Sequence, residues 1–277
     1  MELSCTKMQG CGNDYIYIDC FCQTVADPAH LARVLSDRHK GVGGDGVILI
    51  CPPETAGNDA RMRMFNLDGS EGKMCGNGVR CVAEYLFLHG MAKGGAVNIE
   101  TLSGTKRIAR KAPGMLTVDM GAPVLDPKKI PVAGFAKPVV DELVEINGGG
   151  VRITCVSMGN PHCVIFVPGV QGLDVAQRGS MMEYSKWFPE GVNTEFIEVL
   201  SETHLKMRVW ERGSGETLAC GTGASAAVVA AVLCGRCPKG KDVDVELLGG
   251  TLSINYTGDT VLMTGEAVEV FRGVVEI

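Results

Sequence analysis

The chain has 277 residues, of which 45% are hydrophobic and 21% charged, and its formal net charge is −6. That length supplies one large domain or two of ordinary size, with enough apolar material for a full core. The acidic balance, an aromatic content of 5% and the absence of any Lys/Arg run of five or more argue against a phosphate-backbone track or a base-stacking platform, so no nucleic-acid partner is expected.

In chain order, the opening stretch MELSCTKMQGCGNDY lacks the basic start and apolar run of a signal peptide. The apolar segment 224–234 is too short to span a bilayer. A soluble cytoplasmic protein with no membrane partner is expected. Alternating residues predict strands over 14–21, 61–66 and 203–211. The segment GVGGDG, 41–46, fits a nucleotide-binding glycine pattern but follows a helix-like stretch rather than a strand, so it reads as a loop. MCGNGVRC, 74–81, runs into a helix closing on Gly90. ACGTGASA, 219–226, runs into a second helix closing on Gly235, apolar on every side and therefore buried. Most of the twelve cysteines read as buried free thiols. CGRC, 234–237, has the CxxC spacing of a thiol redox protein, but it ends a helix where such pairs start one. CFC, 20–22, is poorly spaced for zinc, and no metal site is expected.

Placing Cys75 on Cys220 reveals an ordered set of internal matches. FNLDGSEGKMCGNG (65–78) faces WERGSGETLACGTG (210–223), which sets Asn66 against Glu211. GCGND (10–14) faces SMGNP (157–161), VNIETLSGT (97–105) faces VDVELLGGT (243–251), and VDMGAP (118–123) faces LMTGEA (262–267). The expectation is an α/β chain of α+β type with two pseudo-symmetric domains, each a curved mixed sheet around a central helix. The first is residues 1–120 with 266–277, whose strand-like tail returns to it; the second is 121–265.

Each cysteine sits where a helix N-terminus leaves backbone N–H groups without internal partners and favours negative charge. A thiol there is expected to lose its proton more easily than a free cysteine. Pseudo-twofold halves would bring Cys75 and Cys220 to opposite sides of one substrate carbon in the cleft between domains. Inverting a stereocentre needs a base on one face and an acid on the other, and reversibility asks for two chemically alike groups. Arg212 can fork onto a carboxylate, and Glu211 can neutralise an ammonium. Asn13, Asn66, Asn77, Asn160 and Asn193 stand beside turns, where an asparagine either caps backbone or meets a ligand. His162 is either structural or sets a thiol's protonation.

GNDY, FNLDGSE, MCGNGVRC, SMGNPH, ERGSGETLACGTGA and MTGEA together resemble the diaminopimelate epimerase family, from Lys7 to about Arg272. The resemblance implies a cofactor-independent isomerase, in a homodimer of two-domain subunits, that interconverts LL- and meso-diaminopimelate on the route to lysine and peptidoglycan. It implies that Cys75 and Cys220 are the acid and base. It implies substrate contacts at Asn13, Asn66, Gly76, Asn77, Asn160, Asn193, Glu211, Arg212, Gly221 and Thr222, with His162 and Glu211 assisting the thiols. This chain departs at Gly46, where some members carry Gln. Proline racemase relatives, which also use paired cysteines, are the nearest other reading.

Overall fold

A computed structural model describes residues Glu2–Ile277. The chain divides into two units, Met1–Asp119 with Thr264–Ile277, and Met120–Met263. No helix among the described residues is long and apolar enough to cross a membrane.

The first unit is built from β1 (Glu2–Gly10), β2 (Asn13–Asp19), α1 (Pro28–Leu35), β3 (Gly46–Cys51), β4 (Ala60–Asn66), β5 (Glu71–Gly72), α2 (Gly76–Leu88), β6 (Ala96–Glu100), β7 (Lys106–Ala112) and β8 (Met115–Gly121). β1 and β2 are antiparallel, β2 and β3 parallel across α1, and β3 and β4 antiparallel. β4 turns back on β5 and runs parallel to β6 across α2, and β6 leads antiparallel into β7 and β8.

The second unit repeats that plan. Its elements are β9 (Glu142–Ile146), β10 (Gly149–Ser157), β11 (Pro161–Phe166), α3 (Val175–Glu183), β12 (Asn193–Ser201), β13 (His204–Glu211), β14 (Gly215–Glu216), α4 (Gly221–Leu233), β15 (Asp242–Leu247), β16 (Gly250–Tyr256) and the start of β17 (Val261–Glu266), which passes into the first unit at Thr264. β11 and β12 are parallel across α3, β12 and β13 antiparallel, and β13 and β15 parallel across α4. The last strand, β18 (Val268–Glu276), lies antiparallel to β1 in the first unit.

The repetition reaches individual side chains. Asp27 caps α1 by accepting from the His30 N–H, and Asp174 caps α3 by accepting from the Gln177 N–H. Arg63 bridges to Glu71 at 2.8 Å, and Arg208 to Glu216 at 2.7 Å. Each unit also buries its central helix. α2 packs on β1, β2, β6, β7 and β18, and α4 on β10, β11, β12 and β16. Ala224, Ala226, Ala227, Val228, Val229, Ala230 and Ala231 of α4 have no exposed surface. Each fully buried valine contributes on the order of 1.5–2 kcal/mol, so a single charge at Val229 would undo the packing on one whole side. Small side chains at these positions let strands close around the helix from every direction.

Candidate active site

The start of α2 carries Cys75 as its N-cap, in extended backbone at φ −130° and ψ 122°. Its sulfur accepts from the Gly78 N–H at 3.3 Å and its thiol donates to Asn13 Oδ1 at 3.2 Å. Asn13 is held in turn, because its amide donates to Asp45 Oδ2 at 2.7 Å. The turn that presents Asn13 takes Cys11 to φ 54° and Gly12 to φ 78°. The Gly12 N–H donates to Gln9 Oε1, and the Cys11 N–H donates to Glu266 Oε1. Arg80, with no exposed surface, donates to Glu266 O, Gly76 O and Asn77 Oδ1. Glu266 and Arg80 therefore tie the Asn13 turn to the first turn of α2. Asn66 ends β4 with its amide on Ser70 Oγ at 3.0 Å. The ladder sets Gly46 between Tyr15 and Asn66. A Cβ at Gly46 would collide with Phe65 O and come 2.8 Å from Tyr15 Cε1. The space around this position is already taken by Tyr15 and the backbone, so a side chain has no room here.

The start of α4 repeats the arrangement with different surroundings. Cys220 caps it at φ −126° and ψ 107°, 5% exposed, with its sulfur 3.5 Å from Thr222 Oγ1. The Glu211 carboxylate acts on the thiol through its charge and accepts from Thr217 Oγ1 at 2.5 Å. His162 and Glu195 have no exposed surface and meet at 2.7 Å, Nδ1 to Oε1. His162 Nε2 lies 2.9 Å from Asn160 Oδ1, in the turn where Gly159 takes φ 100°. Asn193 uses both ends of its amide within the unit, donating to Pro161 O and accepting from the Arg212 N–H. The Arg212 guanidinium donates to Glu190 O at 2.9 Å. Gly221 is buried and Thr222 half-buried at the helix start.

Burial reverses one expectation. The helix N-terminus was expected to ease deprotonation, yet the Cys220 thiol is pushed well above its ordinary value by desolvation, then by the charges of Glu211 and Glu195. Hydrogen bonds from Thr222 and the Gly223 N–H oppose this and lose. Glu211 is itself raised, chiefly by burial, against the bond from Thr217 and the nearby His162.

A glycine stands at the third position of both helices, where a side chain would crowd its neighbours. A Cβ at Gly78 would lie 2.7 Å from Ile48 Cδ1 and 3.4 Å from Cys75 Cβ. A Cβ at Gly223 would lie 2.7 Å from Glu195 Oε1 and 3.2 Å from Cys220 Sγ. Glu195 is thus the neighbour of Cys220 that Ile48 is of Cys75. The registers agree, since Tyr15 opens the β2–β3 ladder opposite Gly46 and His162 opens the β11–β12 ladder opposite Asn193.

A sequence profile described as "Diaminopimelate epimerase" matches residues 5–125 and 154–270. The chain belongs to the diaminopimelate epimerase family. It is 51% identical over 286 residues to the diaminopimelate epimerase of Desulfovibrio desulfuricans, covering 99% of this chain and 98% of that one. Identity to the diaminopimelate epimerase of Acetivibrio thermocellus is 49%, with 98% of each chain covered. Two solved structures share the fold at low identity. One is a phenazine biosynthesis protein of the PhzF family from Bacillus anthracis (TM-score 0.72, 18% identical, 100% of both chains). The other is a hydroxyproline epimerase from Agrobacterium vitis (TM-score 0.69, 16% identical, 99% of this chain and 92% of that one).

Asp45, Ser70, Glu266 and Arg80 support the residues around the Cys75 helix start, and Glu195 lies beside the Cys220 helix start; none of them was singled out from the residues alone. Ser70, Arg80 and Glu266 lie inside the quoted motifs, which was a usable signal. Glu195 had none, because its partner His162 sits on another strand beyond α3. CGRC is placed at the end of α4, with Cys234 as its C-cap.

Proposed function

We propose that this protein is a cofactor-independent diaminopimelate epimerase, with Cys75 and Cys220 as the two groups that exchange a proton with the α-carbon. It would interconvert the LL and meso isomers and feed lysine and peptidoglycan synthesis. The observation that carries the residue assignment is the duplicated helix cap: in each unit a cysteine precedes a central helix whose third residue is a glycine packed under the sulfur.

In one direction a thiolate takes the α-proton and the other cysteine delivers its own proton to the opposite face. The pair then has exchanged states and is set for the reverse substrate. Cys220 enters as the thiol, since burial and two carboxylates keep it protonated. Glu211, whose charge acts on that thiol and which burial raises, takes the proton when Cys220 must act as base. Cys75 has the Gly78 N–H on its sulfur, which supports the anion, while Asn13 holds the proton when it is present. The α-carbanion has to be stabilised by the site alone. Gly76 and Asn77 at one helix start, and Gly221 and Thr222 at the other, offer first-turn N–H groups to the substrate carboxylate. One such donor is worth about 3 kcal/mol in comparable sites.

Asn13, Asn66, Asn160, Glu211 and Arg212 supply the polar contacts for the amino-acid ends, and Asn193 orients Arg212. A homodimer in the cytoplasm is part of the same reading. The apolar strip of Val268, Val270, Phe271 and Val274, each at least 40% exposed on β18, supports self-association, which sedimentation can check.

The test is α-carbon deuterium uptake from heavy water by LL-diaminopimelate. Wild-type protein should invert the substrate and incorporate deuterium. Cys75→Ala and Cys220→Ala should each lose inversion; inversion persisting in either variant rules the pairing out.

A further inference from the structure

Cys20 and Cys51 lie outside the machinery described so far. The parallel ladder of β2 and β3 ends with Asp19 opposite Ile50, and the Cys20 N–H extends it by donating to Ile50 O at 2.8 Å. Cys20 and Cys51 therefore occupy neighbouring positions. Alternation puts them on one face, because Ile16, Ile18 and Cys20 pack in the same cluster as Val47, Leu49 and Cys51. Adjacent strands are about 4.8 Å apart, within the Cα separation that a disulfide spans. The two thiols also influence each other's ionisation. Both are free and half-buried, so a small solute can reach them.

The surroundings make the two sulfurs unequal. Arg61 stands opposite Cys51 on β4, with Arg63 two residues along and bridged to Glu71. The influence of Cys20 foremost, with Arg63 and Arg61 adding to it against burial and Glu71, brings Cys51 down to about 7. Cys20 is raised by Cys51 foremost, by burial and by Asp19.

We propose that Cys20 and Cys51 form a vicinal dithiol site for small hydroperoxides, with Cys51 as the attacking sulfur and Cys20 as the resolving one. The Cys51 thiolate attacks the peroxide, the O–O bond breaks, and the leaving oxygen departs as water or alcohol once protonated. Cys51 is left as a sulfenic acid. Cys20 then attacks that sulfur and releases its proton, water leaves, and an S–S bond forms. The two sulfurs together lose two electrons, which reduce the peroxide, and an added dithiol reverses the step. The pair sits at the far ends of β2 and β3 from Asn13 and Gly46. Seven residues of β2 make that roughly 20 Å, so crosslinking leaves the Cys75 surroundings in place.

The experiment is peptide mass mapping of the full chain after substoichiometric hydrogen peroxide at pH 7.5 and alkylation of the remaining thiols. The expected product is a Cys20–Cys51 crosslinked peptide that forms before Cys22 is oxidised and disappears with dithiothreitol. Cys20→Ser should lose the crosslink and leave Cys51 trappable by dimedone. Wild-type mapping decides the matter without any variant. A Cys20–Cys22 crosslink, or Cys51 still alkylatable once Cys22 is oxidised, overturns the proposal.

Discussion

Glu195 occupies in the second unit the ladder position that Ile48 occupies in the first. Each lies two residues into a strand that starts opposite a parallel neighbour, Asn193 opposite His162 and Gly46 opposite Tyr15. The duplicated scaffold therefore surrounds one cysteine with an apolar side chain and the other with a buried carboxylate–imidazole pair. The two thiols share backbone geometry but not electrostatics.

That difference can be read by alkylation. Glu195→Gln keeps the shape and a bond to His162 but removes a charge that raises Cys220. Losing it lowers the pH at which the thiolate appears. Iodoacetamide labelling of Cys220 at pH 8 is expected to speed up several-fold in Glu195→Gln, with the midpoint of the pH profile displaced downward. An unchanged profile contradicts the assignment.

Gly78 and Gly223 should not tolerate alanine equally. At Gly78 the new methyl meets the mobile end of Ile48, while at Gly223 it meets Glu195 Oε1 and the Cys220 sulfur. Both variants should lose about 1–3 kcal/mol of stability. Gly223→Ala should lower kcat by about 100-fold through misplacement of Cys220, and Gly78→Ala by less than tenfold. Steady-state kinetics beside thermal melts separate the two effects.

Glu211→Gln should trade activity for stability. Burial raises this carboxyl above its ordinary 4.5, so over a window above that value the folded chain retains a proton that the unfolded chain has lost. Wild-type stability then falls as pH rises from about 4.5 through the folded value, and the glutamine variant escapes that fall. Denaturant melts should show the variant more stable at pH 7, by about 1 kcal/mol, with the gain vanishing at pH 4. Turnover should drop at every pH.

The equivalent arginines should differ in cost. Arg63 bridges Glu71 and lies over the Phe65 ring, so Arg63→Ala should lose at most about 1 kcal/mol. Arg208 bridges Glu216 and also donates to Val170 O and Leu173 O. Removing it takes a charged donor from both carbonyls, leaving each its one backbone donor, and Arg208→Ala should lose about 2 kcal/mol. Urea titrations of both variants provide the comparison.

The repeat was legible because both units perform the same backbone tasks at their turns. Gly12-Asn13 and Gly159-Asn160, or the two Cys-Gly helix starts, need the same residue types in each copy. The strands between them only have to fill space, so Ile48 and Glu195 share nothing that an alignment detects. Pairing across a parallel ladder is set by tertiary register, and that hid the contacts of His162 with Glu195 and of Cys20 with Cys51. The charge state of Cys220 was hidden for a related reason. A helix start predicts the local field, but Glu195 and Glu211 arrive from β12 and β13, and sealing off water outweighs the N-terminal field.

β1 precedes the whole second unit in the chain, and its neighbour β18 follows it. The second unit is one uninterrupted stretch, Met120–Met263, so during translation it can mature while its predecessor still waits for an edge. The N-terminal part closes only after β18 has been made, so its sheet is completed by a segment synthesised later than the whole of the second unit.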